Sequence, residues 1–182
     1  TPFKEDLRGF VERLRQTGEL IDLHQAVDIR HIATLVDQSD KAILFHRVIG
    51  YDMPVLSGIV RTQKRAVMSV GCETFREIED KLQYGIDHPI AATRVSTSST
   101  EEIIWQGDEV DLFKLPIPMS SIYDGGPMIT AGVVIARDPE YGINTGVYRF
   151  IVKEKNLTGI DIVTPNNCLL YTSDAADDMQ CV

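Results

Sequence analysis

Apolar residues at Leu7, Phe10, Val11 and Leu14 recur at helical spacing, and Gly18 follows where a helix end favours a glycine. The pattern predicts an amphipathic helix over Asp6–Thr17 and a short strand over Glu19–Leu23. A second helix follows, capped by Asp28 and lined by Ile29, Ile32, Leu35 and Val36. Two β-rich runs, Ala42–Val48 and Val55–Val60, flank a loop from Gly50 to Pro54. Thr62 opens a helical pattern through Ala66, Val67 and Val70, and a further helix runs from about Thr74 to Tyr84. Interleaved helices and strands predict an α/β (α+β) domain over residues 1–95.

The pattern changes at Arg94–Glu101, a small, polar and unpatterned stretch that reads as a connection. Beyond it the chain is mostly β. Ile103–Trp105 reads as a short strand, Leu115-Pro116-Ile117-Pro118 cannot be helical, and Asp124-Gly125-Gly126-Pro127 is a tight turn. Met128–Ala136 and Ile143–Val152, joined by Arg137–Gly142, form a β-hairpin with a longer loop. These residues make up a second unit, 100–167.

From Cys168 to Val182 there is no helical or strand period and no basic residue. Cys168 to Asp178 resembles an in-frame translation of a transposon-end sequencing adapter. Residues 168–182 are therefore expected to be a non-native tail, outside the fold.

Composition narrows the classes. Of the 182 residues, 43% are apolar and 25% charged, which supports a packed core and argues against disorder or a disulfide scaffold. The net charge of −9 sets the whole-protein field against a nucleic-acid backbone, and the densest basic stretch, Arg61 to Arg65, is short. No window approaches the roughly 18 apolar residues of a membrane span, and Thr1–Asp6 lacks the apolar run of a secretory signal. Cys72, Cys168 and Cys181 are odd in number and lack CxxC spacing, as free thiols in a reducing compartment would. The expected location is cytoplasmic.

Standard catalytic constellations are missing: there is no P-loop, GxGxxG or GxSxG. His24, His31, His46 and His88 lack metal-ligand spacing and read as ordinary surface or hydrogen-bonded histidines. Glu73–Lys81 reads as a solvated helix face. The stretch that stands out is Asn144-Thr145-Gly146-Val147-Tyr148-Arg149. An Asn carbonyl can ligate a hard cation, an Arg fork can hold a carboxylate or phosphate, and Gly between them permits close backbone approach. Asn144 and Arg149 have opposite parity, so a regular strand points them to opposite faces, and a bulge near Gly146 would bring both to one side. The glycine pair Gly125-Gly126 could offer backbone N–H groups to an anion, although a plain tight turn is the commoner meaning.

Several segments, taken in order, resemble one family. They are Asp6-Leu-Arg-Gly-Phe10, Gly18-Glu-Leu20, Ala42-Ile-Leu-Phe45, Gly50-Tyr-Asp-Met-Pro-Val-Leu56, Leu115–Pro118, Asp124–Pro127, Ile129-Thr-Ala-Gly-Val-Val134 and Arg137-Asp-Pro139. Together they resemble the UbiD family of decarboxylases from Asp6 to about Asn167. The resemblance implies an N-terminal α/β domain followed by the beginning of a flavin-reductase-like split barrel, truncated here. It also implies a reversible non-oxidative decarboxylase acting on an aromatic or α,β-unsaturated acid. The cofactors it implies are prenylated FMN and a divalent metal, usually manganese, with a monovalent cation as a further option.

Residue by residue, Asn144 resembles the metal ligand whose ion meets the cofactor phosphate, and Val147, Tyr148 and Arg149 resemble the cofactor-contacting stretch. Arg149 also resembles the arginine of the family's Glu-Arg-Glu network, which orients the substrate carboxylate. The family's second metal ligand, a His, is expected where this chain reads Asn166-Asn167. The Glu ligand and both catalytic carboxylates are expected further on. The chain is thus expected to be a fragment, inactive alone, of a parent that forms homo-oligomers. A flavin-binding split-barrel module without decarboxylase activity is the alternative, and a non-enzymatic interaction domain a third.

Overall fold

The computed structural model describes residues 5–91, 93–98, 101–119, 121–138 and 142–161. They divide between Trp105 and Gln106 into two units, each containing a three-stranded sheet. The expected tail 168–182, the Asn166-Asn167 pair and the tip of the hairpin loop lie outside the described residues.

In the first unit, α1 spans Leu7–Gln16. The Asp6 carboxylate accepts from Gly9 N at 2.8 Å and satisfies one of the otherwise unpaired N-terminal N–H groups. Gly18, at φ 73°, turns the chain out of the helix into β1, Leu20–Val27. A 3₁₀ turn over Ile29–His31, capped by Asp28, leads into α2, Ile32–Asp37. β2, Ala42–Val48, runs parallel to β1, and β3, Val55–Ser57, runs antiparallel to β2, so β2 is central.

The apolar alternation of β2 gives each sheet face its own core. Ile43, Phe45 and Val48 pack with Val27, Ile32 and Val36. Ala42 packs with Leu20, Phe10 and Leu14 beneath α1. α3, Gln63–Ser69, adds Val67 and the fully buried Arg65, whereas α4, Phe75–Asp87, buries none of its side chains. Thr62 and Thr74 cap these helices, accepting from Arg65 N and Glu77 N.

Three expectations for this unit are corrected. β1 continues past Leu23 to Val27, across a register irregularity between Leu23 and Ala26 that interrupts its alternation. β3 stops at Ser57 rather than Val60. Gly58 turns there at φ 75°, and a side chain in its place would press on Val36 Cγ1 at 3.2 Å. Ile103–Trp105 is not a strand: it belongs to neither described sheet, and Ile103 and Ile104 are exposed.

The second unit begins with 3₁₀ turns at Gly107–Glu109 and Leu112–Lys114. Its sheet is β4, Met128–Asp138; β5, Gly142–Glu154; and β6, Leu157–Asp161. The order is β4-β5-β6, antiparallel throughout. The hairpin matches the expected elements, with strand ends that run further toward the loop. β6 has no counterpart in the sequence reading, because only Leu157 and Ile160 in it are large and apolar.

Candidate functional site

β5 carries every residue singled out for chemistry. Burial alternates from Gly142 to Phe150: Asn144, Gly146, Tyr148 and Phe150 are half-buried, while Ile143, Thr145, Val147 and Arg149 are exposed. Asn144 lies opposite Ala136, Gly146 opposite Val134, Val147 opposite Val133 and Tyr148 opposite Gly132.

The bulge that would bring Asn144 and Arg149 to one face is not at Gly146, which has no positive φ. The extra residue sits on β4, between Ile129 and Gly132, and so leaves the parity of β5 untouched. Asn144 and Tyr148 share one face; Val147 and Arg149 share the other.

β6 pairs with β5 from Glu154 down to Arg149, where Asp161 is its last described partner. From Gly142 to Tyr148, β5 has β4 on one side and no strand on the other among the described residues.

Asn144 offers one hard oxygen of the kind divalent cations accept. Among the described residues no group of three His, Cys, Asp or Glu side chains is placed to hold a metal. The chain thus fits a metal as one contributor, and further ligands would have to come from beyond these residues.

The remaining candidates have structural uses. In the Asp124–Pro127 turn, Asp124 Oδ2 accepts from Ser121 N at 2.8 Å. Gly126 takes φ 148°, a conformation side-chain-bearing residues rarely adopt, where the turn meets β5. His46 Nε2 lies 2.8 Å from Asp22 Oδ1, and His24 stacks on the His46 ring at 4.3 Å. Arg15 forks onto the same Asp22 at 2.9 and 3.0 Å and, with His46, holds that carboxyl well below its ordinary range.

The basic stretch is used inside the fold. Arg61 binds Asp37, Lys64 binds Glu19 at 2.6 Å, and Arg65 is buried against Glu19. Glu73–Lys81 lies mostly on the exposed surface of α4. Sequence reasoning missed the burial of Arg65, because the groups it meets, Glu19 and Asp40, lie far away in sequence.

The chain matches two family models over most of its length. Residues 11–82 match the 3-octaprenyl-4-hydroxybenzoate carboxy-lyase N-terminal domain, and residues 93–180 match the Rift-related domain of the same enzyme family. A relative from Rhodospirillum rubrum, described as an uncharacterized protein in the cooM 5′ region, is 32% identical and is matched over 94% of this chain and 38% of its own length. Among solved structures, the UbiD-class enzyme HmfF from Pelotomaculum thermopropionicum, in complex with FMN, is 30% identical. It superposes with a TM-score of 0.84 over 94% of this chain and 39% of its own. An evolved dimeric form of HmfF, in complex with prFMN, gives 29% identity and a TM-score of 0.86 over 96% and 42%. The apo 3,4-dihydroxybenzoic acid decarboxylase of Enterobacter cloacae, at 23% identity and a TM-score of 0.84 over 97% and 40%, shares the fold. The chain spans about two fifths of the length of each of these relatives.

Proposed function

Because the chain belongs to the UbiD family, we propose that it forms the N-terminal part of a reversible non-oxidative decarboxylase. Its substrate class is an aromatic or α,β-unsaturated carboxylic acid, and its cofactor is prenylated FMN. The observation that carries this reading is the strand β5 itself, which sets Asn144, Val147 and Arg149 within one six-residue stretch.

Asn144, half-buried with Gly146 next on the same face, would offer one hard oxygen to a divalent ion. Manganese is the proposed metal. When bound, prenylated FMN would supply an electrophilic centre able to accept the electrons left when carbon dioxide departs. Val147 would flank the cofactor. Arg149, exposed on the other face, would receive the substrate carboxylate in a bidentate fork and orient it for cleavage. The proton that replaces carbon dioxide needs a carboxylic acid that none of these β5 residues supplies, so turnover belongs to the intact parent. Completion of the second sheet into a split barrel, parental homo-oligomers and a cytoplasmic location complete the proposal.

The test is reconstitution of the intact parent with manganese and prenylated FMN, followed by carbon dioxide release from a panel of aromatic and α,β-unsaturated acids. Release that requires the modified flavin supports the reading. Flavin binding with no release from any acid favours a flavin-binding module instead.

A further inference from the structure

On the half-buried face of β5 the ring of Tyr148 occupies the space above Gly146. A Cβ at Gly146 would lie 2.5 Å from Tyr148 Cε2, 2.9 Å from its hydroxyl oxygen and 3.0 Å from Cζ. The side chain therefore runs back along its own strand, toward the hairpin loop. Same-face neighbours on a strand are spaced by about 6.8 Å, so a hydroxyl lying over Gly146 has covered one such step, and the next side chain on that face is Asn144.

A second ring makes this direction the available one. A Cβ at Gly132 would meet Phe150 Cε2 at 2.6 Å and Cδ2 at 2.8 Å, so Phe150 lies across Gly132, the residue opposite Tyr148. Phe150 fills the β4 side of Tyr148 and leaves the path along β5. Two glycines thus give two rings room to lie against the sheet, an arrangement in which an aromatic side chain covers a bare backbone.

We propose that Tyr148 is a positioning residue: folded over Gly146, it fixes the orientation of the Asn144 carboxamide. An oxygen held in place before its ligand arrives has less ordering left to lose on binding. The inference depends on the reading above only for what Asn144 binds.

Nuclear magnetic resonance of the 182-residue chain decides the matter without any cofactor. The expected result is a set of Overhauser contacts between the Tyr148 ring protons and the Asn144 side-chain amide. Tyr148→Phe keeps the ring and removes the hydroxyl, and should shift the Asn144 amide signals while the thermal midpoint holds. Gly146→Ala expels the ring and should abolish the contacts, whereas Gly132→Ala displaces Phe150 and should preserve them. Asn144 amide signals that are the same in wild type and Tyr148→Phe overturn the proposal, even if Gly146→Ala fails to fold. In the intact parent, Tyr148→Phe should weaken manganese binding, read by electron paramagnetic resonance, by about tenfold, as loss of a ligand's supporting contact typically does. A wild-type parent that binds no manganese would overturn the role given to Asn144, while the Overhauser contacts still judge Tyr148.

Discussion

Arg65 Nη1 lies 3.0 Å from Glu19 Oε2, and the arginine that reaches it exposes no surface to solvent. The same guanidinium donates to Asp40 O at 2.6 Å and to Gly58 O at 3.2 Å, so one α3 side chain ties together the chain entering β1, the turn before β2 and the end of β3. Its buried Nη2 makes no hydrogen bond among the described residues, a cost the fold carries alongside those bonds.

Arg65→Met should therefore destabilise the first unit. Removing one partner of a buried ion pair costs about 3–5 kcal/mol, and the lower end is expected because Glu19 keeps Lys64. Arg65→Lys should recover only part of the loss, since an ammonium cannot fork to a carboxylate and two carbonyls together. Urea denaturation of the three proteins measures this, and equal midpoints would deny Arg65 its bracing role.

How much of this was legible in the sequence depended on whether a feature was local. The α1 stripe, the run Ala42–Val48 and the hairpin were read from periodicity and the residues at their ends, and the structure has them there. The second half of β1 was hidden because His24 and Gln25 break its alternation at a register irregularity. Arg65 looked like one charge in a basic stretch, since what buries it comes from Glu19, Asp40 and Gly58, far away in sequence. Asn144 and Arg149 stood out by residue type and spacing. The bulge that would have brought them to one face did not form on β5, because the extra residue sits on β4.

Stability should fall on the acid side. Asp22 is held below its ordinary range by Arg15 and then His46, and Glu19 by Lys64 and then Arg65. Depressed folded-state values mean that the stabilisation is complete above the unfolded values, about 3.9 for Asp and 4.3 for Glu, and is lost as pH falls through the folded ones. Thermal midpoints should be level from about pH 7 to 5 and decline below about pH 4. Asp22→Asn should flatten that decline, at a neutral-pH cost of about 1 kcal/mol or less for so exposed a cluster. An unchanged acid slope would show that Asp22 is not linked to folding.

Trypsin should separate the two units. No α-helix or strand is described between Asp87 and Gln106, and Arg94 in that stretch is exposed. Cleavage after Arg94 is expected to precede cleavage within α1 or β2, leaving a protected N-terminal core. A single species that resists cleavage across both segments would contradict this order.

Two residues of β5, Asn144 and Arg149, carry separable roles along one strand. In the intact parent, Asn144→Ala should lower flavin occupancy, read by absorbance, because the cation loses an oxygen ligand beside the cofactor phosphate. Arg149→Ala should leave most of the occupancy and lower carbon dioxide release at full occupancy by roughly ten- to a hundredfold, the size of a lost charge-assisted contact of about 1.5–3 kcal/mol. Wild-type release by the Arg149 variant, or undiminished occupancy in the Asn144 variant, would contradict the assignment of β5 to cofactor and substrate.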